Sequence, residues 1–362
     1  MFARVSTVDA EVVVIGAGIA GLATAWELSR DGRDVVVVDQ FELGHDRGSS
    51  HGDSRVFRLS YPQAQWVRLA QNALSGWRAY ESAFAEPLLR TTGSIDVGPH
   101  ASDNSLALAD CDAAASMIAP REAARRFGLS LVEGETGLFQ PDAGVIAAAR
   151  TLQLLREAAV GARARVICST RVELIEPADD GVLMHTSTGL LRARAVIVAA
   201  GAWARELVGP IGVDLPVRVT RETVAYLDVG RTDELPVLVF ADHPATRSGH
   251  GVATYALADG PERLKVGLHH TGPAVEPDST TTVDATVEEW AAHWAAERLP
   301  SRCVALAGSQ TCLYTTTADE SFILERHGRI VIGSACSGHG FKFAPVIGST
   351  LARLAGQALT DS

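Results

Sequence analysis

The chain has 362 residues, 47% of them hydrophobic, enough to fill a large core divided over two domains. Its 32 basic and 43 acidic residues leave a net charge of −11, with no dense Lys/Arg tract, which argues against a nucleic-acid partner. No apolar run is long enough to span a bilayer, and MFARVSTVDAEVVVIGAG lacks a signal-peptide pattern, so a cytoplasmic protein with no membrane partner is expected. Cys111, Cys168, Cys303, Cys312 and Cys336 form no C-x-x-C and no even framework, in keeping with a reducing compartment.

In chain order, EVVVIG (11–16) is a short, continuously apolar run, as a central parallel strand requires. LATAWELSRDG reads as a helix ending at Gly32, and DVVVVDQ (34–40) as the next strand. Residues 62–84, from Pro62, place Trp66, Leu69, Ala73, Trp77, Tyr80 and Phe84 at helical spacing, a stripe that reads as core. A helix over 147–160 precedes alternating strands, with Asp180–Gly181 expected as a hairpin turn. Residues 215–270 alternate in strand fashion, and 285–300 reads as a helix stopped before Pro300. RIVIGS (329–334) is again a buried strand, and VIGSTLARLAGQAL a closing helix.

Nucleotide-domain strands thus fall at the start, near 195 and near 330, so two domains must interleave. The expected fold class is α/β. A Rossmann-like domain (1–90, 140–215 and 315–362) is interleaved with an α+β substrate domain on a mainly antiparallel sheet (91–139 and 216–314).

Gly16-Ala17-Gly18-Ile19-Ala20-Gly21 matches G-x-G-x-x-G between a strand and a helix. The first glycine permits the tight turn, the second lets backbone approach a pyrophosphate, and the third lets helix and strand pack closely. Phosphate then sits at a helix N-terminus, where N–H groups and the dipole favour anions. Asp39, 18 residues after Gly21, is placed to accept from ribose hydroxyls. The motif alone does not separate FAD from NAD. AVIVAAGAW (195–203) and IVIGSACSGHGF add two further strand-to-turn segments, and together the three look like a flavoprotein of the glutathione-reductase type. There, the last helix start, with Gly338 and Gly340, points at the flavin.

GSSHGDSRVFRLSY (48–61), LKVGLHH (264–270), TCLYTTTADESFIL (311–324) and SGHGFKF (337–343) occur in one order along essentially the whole chain. In this they resemble the monomeric sarcosine oxidase and N-methyltryptophan oxidase family, within the D-amino-acid-oxidase-like group. The resemblance implies FAD bound covalently through Cys312, with His51 and Arg55 beside the flavin and Tyr314 lining it. It also implies that Arg58 and Lys342 hold the substrate carboxylate, a task that suits a guanidinium's two parallel donors. Lys265 matches the lysine where oxygen is activated, and His269 the histidine beside the bound amine. Lys265 and His269, four apart on a strand, share a face. His270 is expected to diverge from His269, which weighs against the competing His-pair metal site. Tyr255 matches a pocket tyrosine of the family only across a one-residue gap, the ungapped position being Thr254. For Lys342 the bland alternative is a stem over phenylalanine with its head in water, and for Cys312 an inert buried thiol.

The resemblance implies an FAD-dependent oxidase, expected to be monomeric. It would act on a small carboxylate-bearing amine, a secondary N-methyl or cyclic imino amino acid, and on O2, giving an imine and hydrogen peroxide. Two alternatives stay open: a same-fold dehydrogenase passing electrons to a carrier, and a non-catalytic flavin-binding subunit.

Overall fold

The computed structural model describes residues 9–241 and 253–360. The part of the expected strand region from 242 to 252 and the first eight residues lie outside the described residues. The chain divides into two compact units. One gathers the chain up to His51, Ala149–Val219 and the chain from Leu313; the other gathers Gly52–Ala148 and Thr220–Cys312.

The first unit is built on a mixed sheet. Five neighbouring strands run parallel, in the order Arg165–Ile167, Val35–Val38, Ala10–Ile15, Gly189–Val198 and Ile330–Ser334. Ile15 lies opposite both Val38 and Val198, so the three strands end level at the glycine turn. Both faces of these strands are covered, which is why they read as unbroken apolar runs. Val13, Ile15, Val36, Val38, Val196 and Val198 pack with Leu207, Val208 and Leu215 on one side. Each fully buried valine contributes roughly 1.5–3 kcal/mol of transfer free energy. Helices Ile19–Arg30 and Ala344–Thr360 pack closely against each other. Gly348 lets them: a Cβ there would meet the Ala23 Cβ at 2.8 Å.

The hairpin in this unit corrects one sequence expectation. Its two-residue turn is Asp179–Asp180, and Gly181 is already a strand residue opposite Ala178. Glycine is needed there for close approach, since a Cβ would lie 2.5 Å from the Ala193 carbonyl oxygen.

The second unit carries an eight-stranded sheet and a small three-stranded one. From Arg218–Asp228 across to Ser116–Ile118 the large sheet is antiparallel apart from the Ser94–Val97/Val237–Phe240 pair, which is parallel. One of its faces, with Ile95, Leu238, Phe240, Ala256, Leu264 and Val266, closes on Trp294 of the helix Ala285–Arg298. That helix starts where the Asp284 side chain accepts from the Thr286 N–H, and ends before Leu299 and Pro300. The opposite face is set by register. Tyr226 lies across from Lys265, Lys265 from Leu257, Val239 from Tyr255, and Asp96 from Val239, so these side chains share a side.

Residues 52–90 differ from their expected place in the first domain. Ser54–Phe57 and Leu89–Thr91 both pair with Gly144–Ala147, which ties them to the second unit. The helix between them runs Ala64–Phe84 and buries Val67, Ala70, Ala73, Trp77 and Tyr80. Trp66, Leu69 and Phe84 of the expected stripe stay half-buried. Among the described residues, no helix is long and apolar enough to cross a membrane.

Candidate active site

In the first unit the glycine turn is a backbone device. Gly16 takes φ +107°, and a Cβ on it would meet the Ala199 carbonyl oxygen at 2.5 Å. A Cβ on Gly21 would lie 1.9 Å from the Gly16 carbonyl oxygen. Gly18 is the N-cap of the helix Ile19–Arg30 and, as glycine, supplies no side chain to its end. The Ile19 N–H donates to Ser50 Oγ at 3.1 Å, so the 48–61 stretch begins at this helix end. Asp39 is buried and accepts from the Ala17 N–H at 2.7 Å and the Phe41 N–H at 2.9 Å. Its carboxylate therefore braces the turn itself, a task the spacing did not reveal.

The same unit holds the turn around Lys342. Gly338 takes φ +71°, and a Cβ on Gly340 would fall 1.7 Å from the Ala335 carbonyl oxygen. The Gly340 N–H donates to the Cys336 carbonyl at 2.8 Å. A short 3-10 turn, Gly340–Phe343, then runs into the helix Ala344–Thr360. Lys342 is 5% exposed, with its Nζ donating to the His339 carbonyl at 3.0 Å and lying 5.3 Å from the Phe343 ring centre. Its head is thus held inside, unlike the water-reaching alternative. Tyr314 is also buried here, and His51 half-buried.

In the second unit Gly52 is the focus. At φ +90°, a Cβ on it would have Arg55 Nη1 at 3.5 Å, the Tyr226 hydroxyl at 3.7 Å and Lys265 Nζ at 3.8 Å. Lys265 is 6% exposed and donates to the Ser54 carbonyl at 3.3 Å. Burial first, and the Arg55 guanidinium second, push its ammonium down to about 7; a Cys312 thiolate and the carboxylates of Asp259 and Asp53 pull it back up. Burial, and then the Asp259 charge, push the Tyr226 phenol up to about 12, so it stays a neutral donor, bonded to Gln310 Oε1 at 2.8 Å. Cys312 itself is half-buried on the strand Ala305–Thr316.

Residues 11–354 match the family described as FAD dependent oxidoreductase. The chain belongs to that family. It is 29% identical to the monomeric sarcosine oxidase of Bacillus sp. (strain B-0618) over 360 residues, covering 95% of this chain and 92% of the relative. It is 30% identical to the peroxisomal sarcosine oxidase of Homo sapiens, covering 95% and 91%. Among solved structures it is similar to NikD, an unusual amino acid oxidase essential for nikkomycin biosynthesis, with a TM-score of 0.87 at 26% identity, covering 98% and 95%. These relatives support FAD-dependent oxidation of N-substituted amino acids as the reaction class.

The residues of this FAD dependent oxidoreductase fit such a cofactor. The first unit offers a turn of small residues in which the N-cap glycine lays no side chain of its own over the helix end, Ser50 Oγ takes the Ile19 N–H, and a buried carboxylate braces the turn. Gly16, Gly18 and Gly21 would hold the pyrophosphate, and the Gly338–Gly340 turn offers a second helix start.

Other expected residues stand differently. Arg58 has an internal partner: its Nη1 lies 3.5 Å from the buried Asp96 carboxylate and donates to the Ser60 carbonyl, and its guanidinium lies 4.9 Å from the Tyr61 ring centre. Burial pushes Asp96 up, opposed by Arg58. Arg58 and Lys342 belong to different units. The expected divergence of the two histidines does not hold. The strand ends at Leu268, His270 takes φ +61°, and the His269 and His270 rings lie 3.9 Å apart. Left-handed backbone after the strand end replaces the alternation that the sequence pattern assumed. Tyr255 covers Gly267: a Cβ there would lie 2.5 Å from its hydroxyl, so glycine makes room for this ring.

Sequence reasoning missed Tyr226, Asp259 and Asp96. Each sits mid-pattern in a strand or turn, and only cross-strand register shows where it faces. It also passed over a countable signal: Lys265 and Lys342 are the sole lysines of the chain, every other Lys/Arg position being arginine.

Proposed function

We propose that this chain oxidises the C–N unit of a carboxylate-bearing secondary amine, an N-methyl or cyclic imino amino acid. O2 is the electron acceptor, and an imine and hydrogen peroxide are the products. The observation that carries the reading is the pair of lysines. Lysine is a residue of surfaces, yet both copies here are buried, at 6% and 5% exposure, one in each unit. Each lies within a motif shared with the sarcosine oxidase family.

Bound FAD supplies the two-electron acceptor that links amine and O2. The chain's own groups do the rest. Arg58 and Lys342 hold the substrate carboxylate, and charge-assisted bonds in a desolvated site fix its orientation. His269 faces the amine, which must be neutral to react. The amine loses two electrons and two protons to become the imine, and O2 takes up both to leave as peroxide. Lys265, cationic beside Arg55, stabilises the negative charge that develops on oxygen. His51 and Arg55 flank the cofactor, and Cys312 is the point of covalent attachment. The protein works as a monomer.

A peroxide-coupled screen of sarcosine, N-methyltryptophan, proline and pipecolate tests the proposal. Peroxide formed in air with one of them, at a kcat/KM that rises with pH, is the expected result. Turnover of an artificial acceptor under argon with no peroxide in air would assign a dehydrogenase instead. The mass of the denatured protein tests Cys312 separately: an unmodified chain after flavin-replete expression removes the covalent link and leaves the oxidase reading standing.

A further inference from the structure

Asp259 follows the strand Thr254–Ala258 and is 2% exposed. Its Oδ1 accepts from Ser54 Oγ at 2.6 Å, across 205 residues of sequence. Its Oδ2 accepts from Arg263 Nε at 3.1 Å, with Arg263 Nη2 2.8 Å away. Both oxygens are therefore committed. Ser54 in turn uses its carbonyl for two cations, Lys265 Nζ at 3.3 Å and Arg55 Nη1 at 2.8 Å. One serine thus links a buried carboxylate, through its hydroxyl, to a buried ammonium, through its carbonyl.

We propose that Asp259 is a positioning residue for Lys265: it clamps Ser54 so that the Ser54 carbonyl meets the ammonium, and its charge keeps that ammonium protonated. Polar or charged groups reach Lys265 from each neighbouring element. Arg55 and Asp53 come with the strand Ser54–Phe57, Cys312 from Ala305–Thr316, and the neutral Tyr226 from Arg218–Asp228, while Arg263, on the strand that carries Lys265, is spent on Asp259. A Cys312 bonded to the cofactor carries no charge on its sulfur, so without Asp259 only Asp53 is left against burial and the Arg55 guanidinium. The ammonium would then lose its proton at lower pH. The catalytic consequence rests on the reading of Lys265 as the site of oxygen reaction; the clamp does not.

Because the chain has two lysines, the FAD-loaded protein labelled with [ε-13C]lysine should give two signals, and K342R assigns them. In D259N the Lys265 midpoint is expected to fall by about one pH unit or more, in S54A by less, while D259E keeps it near the native value. A native midpoint in both D259N and S54A overturns the proposal; if D259N does not fold, a native midpoint in S54A alone overturns it. Stopped-flow reoxidation of the reduced holoenzyme by O2 is then followed against pH, with anaerobic reduction by substrate as the control. Its basic limb is expected to move with the lysine midpoint while reduction changes less than about twofold. A moved midpoint with an unmoved reoxidation profile would support the clamp and remove Lys265 from the oxygen step.

Discussion

The two lysines are buried to nearly the same depth, yet their supports differ in kind. Lys342 donates a hydrogen bond to the carbonyl of His339, three residues back, within a turn shaped by Gly338 and Gly340. Lys265 donates a hydrogen bond to the carbonyl of Ser54, 211 residues away, under a carboxylate from a third segment. A local turn holds one cation through backbone sterics; a cross-strand network holds the other through charge and hydrogen bonds. The first should fail abruptly when its geometry is changed, the second gradually and with pH.

Gly340→Ala is expected to show the largest effect. Its Cβ would fall on the Ala335 carbonyl oxygen at 1.7 Å, so the turn must rebuild. A loss of about 3 kcal/mol or more is expected, seen as a lower Tm and a colourless purified protein. A yellow protein with native Tm would show that the turn is not the support of Lys342.

Lys342→Met removes the cation and leaves the turn in place. Binding of carboxylate ligands should weaken by ~2–5 kcal/mol, measured as the Kd of a competitive carboxylate against the oxidised enzyme, with Tm changed little. Equal affinity in the variant would separate Lys342 from the substrate carboxylate.

The smallest effect belongs to Lys265→Met, and it carries a sign. The unfolded lysine titrates near 10.4 and the folded one near 7, so above pH 7 the unfolded chain binds more protons. The cost of burying the charge is thus fully present below pH 7 and fades as pH rises from 7 towards 10. The variant should be more stable than the native holoenzyme by about 1 kcal/mol at pH 6, since the orphaned Ser54 carbonyl offsets part of the relief. The gap should close at about pH 8 and reverse by about pH 9, because each pH unit between the two midpoints removes about 1.4 kcal/mol of that cost. A variant advantage that grows with pH would mean that Lys265 is not held in a depressed state.

The amino-acid sequence by itself determined the parts whose physics is local. The turn Gly16–Gly21 and the Gly340 turn are dictated by where a Cβ cannot fit, and the parallel strands by the need for apolar side chains on both faces. The four motifs, each a continuous stretch, pointed to the family by resemblance. Tertiary structure alone decided the rest. Asp39 braces the turn, Arg58 meets Asp96, His270 turns back towards His269, and Asp259 reaches Ser54. Most of these contacts join segments far apart in the chain, and none leaves a periodic trace. They depend on which residues strand register and chain reversal set face to face, because a carboxylate's partner is chosen by distance in space, whatever its distance along the chain.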